Sequence, residues 1–495
     1  MKRFNQEKIT ANNPKFKLVN KNFSNTKFSL NPLLHFSKPT GENLAKQADI
    51  LSKLQNPIIY FITYLPKIYL SLIRECANYI YNKKTLKVFK ESINVNKSII
   101  FVSHLIQNNG LSSKNELFYG PLPFVKNNNK IGNLILLVDH QKKSFARNSN
   151  TNLNKEYLLI PKTVPFKKLI VLLRDQIFDF IFIVLKISSM KKFNLNDLLL
   201  LLELAALQLS REVFADLYLA QNITEACKST GSKKIVLTFE GHPFEVQAVK
   251  KISEVINTIN IYLYILAPIV PAQEGLFKSI EMVANQATIC VTGGYMKKYI
   301  ASKIDIDPKR IKIVGSSKHV KGKLGSKRRS HIKNILFTPE GYESATHEMF
   351  EAALYCADNY PELDIVFRFH PNYPLESMKK EMYKANSLKN FRFSNEKLSY
   401  DLERASFCIY KSSAVSIQSL TYNLQQIYYS QEKYDMDPLN IYAIPHYKAK
   451  NMQFLAKYII SFKFKSVLIN DKLNHKKIEI YQGFYSPLDL YFFQI

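Results

Sequence analysis

NILFTPEGYESATHEMFEAALYCADNYPELDIVFRFHP, residues 334–371, opens on a short apolar run, turns at Pro339-Glu340-Gly341 and closes on a second apolar run, DIVFRFHP. Between the two runs, residues 344–359 carry helical patterning. Parallel strands need a long crossover, usually a helix, so this run–turn–helix–run unit reads as part of a parallel sheet. The same rhythm continues downstream through FRFS (391–394), a helix near 398–405, SFCIYKSS (406–413), another helix and QIYYS (426–430). Upstream it is carried by SIIFVSH (98–104), NLILLVDH (133–140), EYLLIP (156–161), KIVLTFEG (234–241), IYLYILAP (261–268), TICVTGG (288–294) and IKIVGSS (311–317). A long apolar helical block, 196–220, interrupts the first series and must be buried or bundled.

Two αβ series predict two doubly wound domains, 93–317 and 334–495, the second ending in a closing C-terminal segment. Between them KHVKGKLGSKRRSHIK (318–333) holds seven Lys and Arg and no acid, and reads as a basic linker. Ligands of such sheets bind beyond the carboxyl ends of the strands, so the predicted site is a cleft between two facing edges. Ahead of both domains, residues 1–45 read as a polar basic arm and 46–92 as a helical extension. The extension either packs on the following domain or, with its aromatics and lysines, lies on a membrane surface.

The chain has 495 residues, 46% of them hydrophobic, enough for large cores and incompatible with a disordered or collagen-like protein. The net charge is +29, but it comes from 58 Lys and only 11 Arg spread along a chain also rich in Asn, Ile, Phe and Tyr. Nucleic-acid readers favour the arginine fork, so that pattern disfavours a nucleic-acid partner and leaves an anionic substrate or an anionic membrane surface open. Five scattered cysteines without any CxxC suggest neither disulfides nor zinc and fit a reducing cytoplasm. The opening MKRFNQEKITANNPKFK has no apolar stretch after its charges, so no secretory signal is expected. Glycine is scarce, only 14, and Gly241, Gly293, Gly294, Gly315 and Gly341 all fall at predicted strand ends, which reads as marking the rim of the cleft.

Candidate chemistry gathers at the same ends. Glu340 and Gly341 close one strand of the second series, Arg368 and His370 the next, and Lys411, Ser412 and Ser413 a third. Two hydroxyls and free amides at a helix start suit a phosphate, while the plainer reading makes Ser412 or Ser413 an N-cap. In the first series LTFEGHPFE brings Glu240, His242 and Glu245 to a strand end, with Glu240 or His242 as a general base for a hydroxyl and Glu340, from the opposite wall, as a third candidate. His104 and the Asp139-His140 pair end neighbouring strands and would shape the same side. No acidic cluster or His/Cys set has metal spacing, so metal-independent chemistry without a cofactor is expected.

The order PEG, RFHP, SYDLERA, KSSAVSIQSL, QQIYY over residues 334–430 resembles the nucleotide-binding half of GT-B glycosyltransferases of bacterial surface-polysaccharide biosynthesis. The most similar groups share an HP motif followed by paired Ser/Thr: bacterial sialyltransferases, capsule Kdo transferases and CDP-glycerol glycerophosphotransferases. VTGGYMKKYIASKIDIDPKRIKIVGSSKH looks like the last αβ unit of a GT-B N-terminal domain. The resemblance implies two Rossmann-like domains facing each other across a cleft, with His370, Ser412 and Ser413 on the donor phosphate. Arg368 and Lys411 are added from charge and position alone. Sialyltransferases of this type carry an acidic pair before Gly as the base; here Phe239-Glu240-Gly241 retains one acid. The implied activity moves a sugar or polyol phosphate from a CMP- or CDP-activated donor to a surface-glycan or lipid-linked acceptor, in the cytoplasm or peripherally at the inner face of the membrane. The alternatives are a nucleotide-sugar epimerase of the same fold and a basic RNA- or membrane-binding protein.

Overall fold

The computed structural model describes residues 57–105, 114–125, 131–139, 157–189, 211–270, 274–319, 334–341, 343–370, 378, 382–422, 424–431, 437–440, 446–463 and 471–494. The arm of 1–45, residues 196–210 of the apolar block, residues 320–333 of the linker, His140 and Pro371 lie outside them.

The apolar runs of the first series become β1 (Ile99–Leu105), β2 (Leu134–Asp139), β3 (Tyr157–Leu159), β4 (Lys234–Thr238), β5 (Asn260–Ile265), β6 (Thr288–Val291) and β7 (Ile311–Ile313). They form one sheet in the order β3-β2-β1-β4-β5-β6-β7, with every pairing parallel. The second series yields β8 (Asn334–Thr338), β9 (Asp364–Phe367), β10 (Phe391–Phe393), β11 (Phe407–Tyr410), β12 (Gln425–Tyr429) and β13 (Tyr447–Ala449). Their order is β10-β9-β8-β11-β12-β13, again wholly parallel. Both sheets are doubly wound in the Rossmann manner, and the chain is a two-domain α/β protein of the GT-B type. Only β13 escapes the sequence reading: it has three residues, two of them exposed, and no apolar run.

The helices are α1 (Pro57–Ser92), α2 (Phe166–Ser189), α3 (Arg211–Thr230), α4 (Pro243–Val255), α5 (Glu274–Val283), α6 (Gly294–Lys303), α7 (Glu343–Asn359), α8 (Met382–Asn386), α9 (Leu398–Arg404), α10 (Val415–Gln418), α11 (Met452–Lys463) and α12 (Asp471–Phe484). A parallel strand buried on both faces reads as a continuous apolar run, and β1 shows why. Ile100 and Val102 enter one core while Ile99 and Phe101 enter another on the opposite face. The core under Ile100 also takes in Leu336, Val366, Cys408 and Tyr410 of the second sheet, together with Ile480, Tyr481 and Phe484 of α12. One continuous apolar layer therefore joins the two domains.

The closing C-terminal segment does not stay with the second sheet. After α12 the chain returns to the first: Ser486 N–H donates to Thr292 O at 2.8 Å, and the Phe493 ring meets Tyr262 and Phe101 edge-on at 5.3 and 6.0 Å. Gly315 is where this return is tightest. It has φ +85°, and a Cβ there would lie 1.9 Å from the Pro487 carbonyl oxygen. Gly293 meets the backbone of Gly483 and Phe484 in the same way. The expectation that these glycines edge the cleft needs correction, because both seat the returning backbone.

Candidate active site

A doubly wound sheet has one place where neighbouring crossovers leave in opposite directions, and the crevice there is where ligands bind. In the first sheet that point lies between β1 and β4, in the second between β8 and β11. His104 is the last residue but one of β1, and the Glu240-Gly241-His242 turn follows β4. Glu340-Gly341 follows β8, and Lys411-Ser412-Ser413 follows β11. Residues singled out from sequence thus flank both switch points.

On the first-domain side the turn is built around Glu245. Pro243 opens α4 and Glu245 sits in its first turn, a helix-start arrangement that returns a carboxylate to the preceding amides. Glu245 Oε2 accepts the N–H groups of Glu240, Gly241 and His242 at 3.1, 2.9 and 2.8 Å. Gly241, with φ +86° and close to Leu276 and Ser279, supplies the left-handed bend. Glu245 is therefore wholly buried rather than facing the cleft as its strand-end position suggests. Glu240 is exposed, and its Oε2 lies 3.5 Å from His242 Nε2.

Burial raises the Glu245 carboxyl to about 8, although the nearby His242 opposes the shift. For His242, burial works against the charged form, but the hydrogen bond to Glu240 and the charges of Glu245 and Glu240 prevail and lift it to about 9. Near neutral pH His242 is an imidazolium, so of the two proposed bases Glu240 is the one able to accept a proton. The fold also makes a group invisible in sequence spacing: ligand-capable atoms of His104, His242 and Glu245 lie within 4.8 Å of one another, with His104 Nε2 4.0 Å from Glu245 Oε1. These are metal-ligand types, yet one Glu245 oxygen already serves three amides and His242 is paired with Glu240, so the cluster balances its own charge.

On the second-domain side the residues divide. Arg368 donates to Asp401 Oδ2 at 2.8 Å and to the Glu396 carbonyl at 2.6 Å, and the buried Asp401 also accepts from Ser394. Lys411 is fully buried and pairs with Glu348 of α7 at 2.5 Å. Both cations, added on charge and position, are engaged within the protein, each tying a strand end to a neighbouring helix. Glu340 uses its carbonyl to accept from Thr346 at 3.2 Å, next to Gly341 at the entry to α7. Ser413 Oγ accepts the Val415 N–H at 3.3 Å, a local turn bond just ahead of α10, whose N-cap is Ala414. Ser412 differs from all of these. It adopts φ +52°, the sole positive φ of a non-glycine among the described residues, and its hydroxyl oxygen is buried with no partner among them. The following α10 is only four residues long, so an anion here would depend on local amides and hydroxyls more than on a helix dipole.

His370, expected beside Arg368 as a cationic or donor group, is held neutral. Burial and the charge of Lys318 lower it to about 4. Lys318 opens the stretch that reads from sequence as a basic linker. Burial lowers its own pKa while the charge of Glu240 raises it. It thus lies within electrostatic reach of Glu240 in one domain and His370 in the other, and Tyr481 of α12 donates a hydrogen bond to its carbonyl. Apart from opening a basic run, nothing in the sequence distinguishes it.

No family model matches the sequence, and no curated protein matches it. Among solved structures, a putative UDP-N-acetylglucosamine 2-epimerase from Listeria monocytogenes aligns with 80% of this chain and 94% of its own at 11% identity and a TM-score of 0.45. S. aureus MnaA, solved with UDP, aligns with 79% of this chain and 93% of its own at 9% identity and a TM-score of 0.46. A glycotransferase of kitacinnamycin aligns with 79% and 95% at 10% identity and a TM-score of 0.44. The two-domain assignment rests on the strand orders themselves and not on these distant likenesses.

Proposed function

We propose that the protein is a GT-B glycosyltransferase that moves a sugar or polyol phosphate from a nucleotide-activated donor to a surface-glycan or lipid-linked acceptor. The reading is supported by the placement of Glu240 after β4 and of Gly341 and Ser412-Ser413 after β8 and β11, at the switch points of the two sheets, with Lys318 within electrostatic reach of both Glu240 and His370. The donor phosphates lie against Ser412, Ser413, Gly341 and neutral His370, with the Lys318 ammonium as counter-charge. Glu240 takes the proton of the acceptor hydroxyl as that oxygen bonds to the transferred group, and the bond to the nucleotide phosphate breaks. Hydroxyls, amides and the lysine stabilise the charge that develops on the leaving nucleotide. These donors hold a pyrophosphate without a divalent ion, so transfer persists in EDTA. The HP and Ser-Ser motifs favour a cytidine nucleotide.

The reading is tested by thermal shift with CMP, CDP, UDP and GDP. Stabilisation by the cytidine nucleotides, lost in Ser412→Ala and His370→Ala, is the expected result; indifference to all four removes the donor site. A second reading, epimerisation of a nucleotide-sugar, is favoured by the adjacency of two proton-transfer groups, Glu240 and His242, 3.5 Å apart. Incubation with labelled nucleotide-sugar and no acceptor separates the two. An epimerised sugar still attached to its nucleotide favours the epimerase.

A further inference from the structure

A helix packed on a soluble domain normally turns its apolar side inward. Over residues 70–80 α1 does the reverse. Ser71 and Glu75 are buried, Glu75 accepting from Tyr218 at 2.6 Å and Arg74 at 2.7 Å, and Asn78 donates inward to the Lys162 carbonyl at 2.8 Å. Leu70 and Ile80 are meanwhile 62% and 73% exposed, and Ile73 is exposed with them. The neighbouring α2 is apolar on both sides. Leu169, Leu172, Leu173 and Phe180 are buried, while Ile170, Val171 and Phe178 are exposed, Phe178 to 62%. Inner residues of both helices pack on one cluster with Phe214 and Tyr218 of α3, and Tyr79 and Phe166 bring the two helices together at 5.4 Å between rings. Their outer faces therefore look away from the same core. Isolated exposed apolar residues are ordinary, but a contiguous patch on paired helices marks an interaction surface.

Charge identifies the occupant. At about 100° per residue, Lys84 and Lys87 of α1 fall on the same outer arc as Leu70, Ile73 and Ile80. Lys83 and Lys90 are exposed beside them, and the exposed acid of that helix end, Glu91, is balanced by Lys87 at 3.9 Å. An apolar and aromatic face that continues into lysines suits a lipid–water interface carrying negative headgroups. No helix among the described residues is long and apolar enough to cross a membrane. We infer that α1 and α2 form a docking face for an anionic membrane surface, with the apolar side chains at the headgroup–acyl boundary and the lysines on the headgroups. This inference does not depend on the chemistry of the cleft.

The test is co-sedimentation of the full chain with sucrose-loaded vesicles of phosphatidylcholine alone or mixed with phosphatidylglycerol. The chain should pellet with the mixed vesicles, pellet weakly with the neutral ones and be released by salt. Lys84→Glu with Lys87→Glu should lower the partition about tenfold or more. Ile73→Glu with Phe178→Glu should abolish it without altering the thermal melt. The chain contains no tryptophan, so Leu70→Trp and Phe178→Trp each install a single reporter whose emission should shift to the blue on mixed vesicles. If the wild-type chain stays in the supernatant, or the reporters do not shift, the inference fails. It also fails if Ile73→Glu with Phe178→Glu converts a dimer to a monomer in light scattering while vesicle partition is unchanged, because the occupant is then a second copy of the chain.

Discussion

Glu245, His242, His370 and Ser412 show how single groups are constrained at this cleft. Three amides converge on one oxygen of the buried Glu245, so Glu245→Ala strands donors that each cost about 1–3 kcal/mol when buried and unmade. It should therefore destabilise the fold measurably in urea and loosen the turn that carries Glu240. Glu240→Gln, by contrast, removes an exposed acid and its charge beside His242; turnover should fall by roughly 10²–10⁴, which single-turnover kinetics resolve. The two histidines titrate on opposite sides of neutrality. His242 lies above its ordinary 6.5, near 9, so the stability it adds is complete below about 6.5 and lost as pH rises through 9. His370 lies below, near 4, so as pH falls from 6.5 the unfolded chain takes the proton first and stability is lost toward 4. Each effect is about 3 kcal/mol at most. In urea titrations across pH, His242→Gln should flatten the alkaline limb and His370→Gln the acid limb. Ser412 holds a left-handed conformation that costs a non-glycine residue about 1–2 kcal/mol, of which glycine's extra unfolded-state entropy returns some 0.4–1. Ser412→Gly should raise stability slightly while weakening nucleotide binding, a combination that a purely structural serine would not produce.

At the scale of elements, the turn after β7 is shaped by what crosses it. Gly315→Ala places a Cβ 1.9 Å from the Pro487 carbonyl oxygen at φ +85°, and backbone at such a contact cannot swing aside as a side chain can. Strain and displacement together should cost about 2–4 kcal/mol, read as a lowered denaturation midpoint. The sequence marks Gly315 as special but not for this reason, since the partner lies some 170 residues away in a tail with no motif of its own. Strands such as IIFVSHL and NILFT, buried nearly throughout, announce themselves as apolar runs, whereas the partly exposed β7 and β10 are legible only from the strand–turn–helix rhythm around them. The edge strand β13 has an exposed Tyr447 and Lys448 and leaves no such trace. Site residues follow the same logic. Position after a strand is readable, so the places of Glu240, His370 and Ser412 follow from sequence; side-chain partners are not, so the pairing of Arg368 with Asp401 and of Lys411 with Glu348 does not. Lys318 stays hidden among basic neighbours because only the approach of two domains gives it a role.

At the scale of the whole molecule, the domains are bound together by the last 24 described residues, 471–494. α12 contributes Ile480, Tyr481 and Phe484 to the apolar layer that reaches both sheets, and the tail then inserts Phe493 into the first sheet's far core. Phe493 is 2% exposed, with Phe101, Tyr262 and Phe492 around it edge-on at 5.0–6.0 Å. A buried phenylalanine truncated to alanine costs about 3–5 kcal/mol, partly as lost transfer energy and partly as cavity. Loss of this ring from the returning tail should therefore destabilise the first domain. Phe493→Ala is expected to lower the melting of the first domain selectively, by hydrogen exchange loosening β1 and β5, which carry Phe101 and Tyr262, before β8 and β11. If the two domains instead melt together with unchanged cooperativity, the layer through α12 is strong enough to make them one unfolding unit, and the loss should appear in both sheets equally. Protection that falls only in the second sheet would contradict this packing, because the tail makes its aromatic contacts with the first.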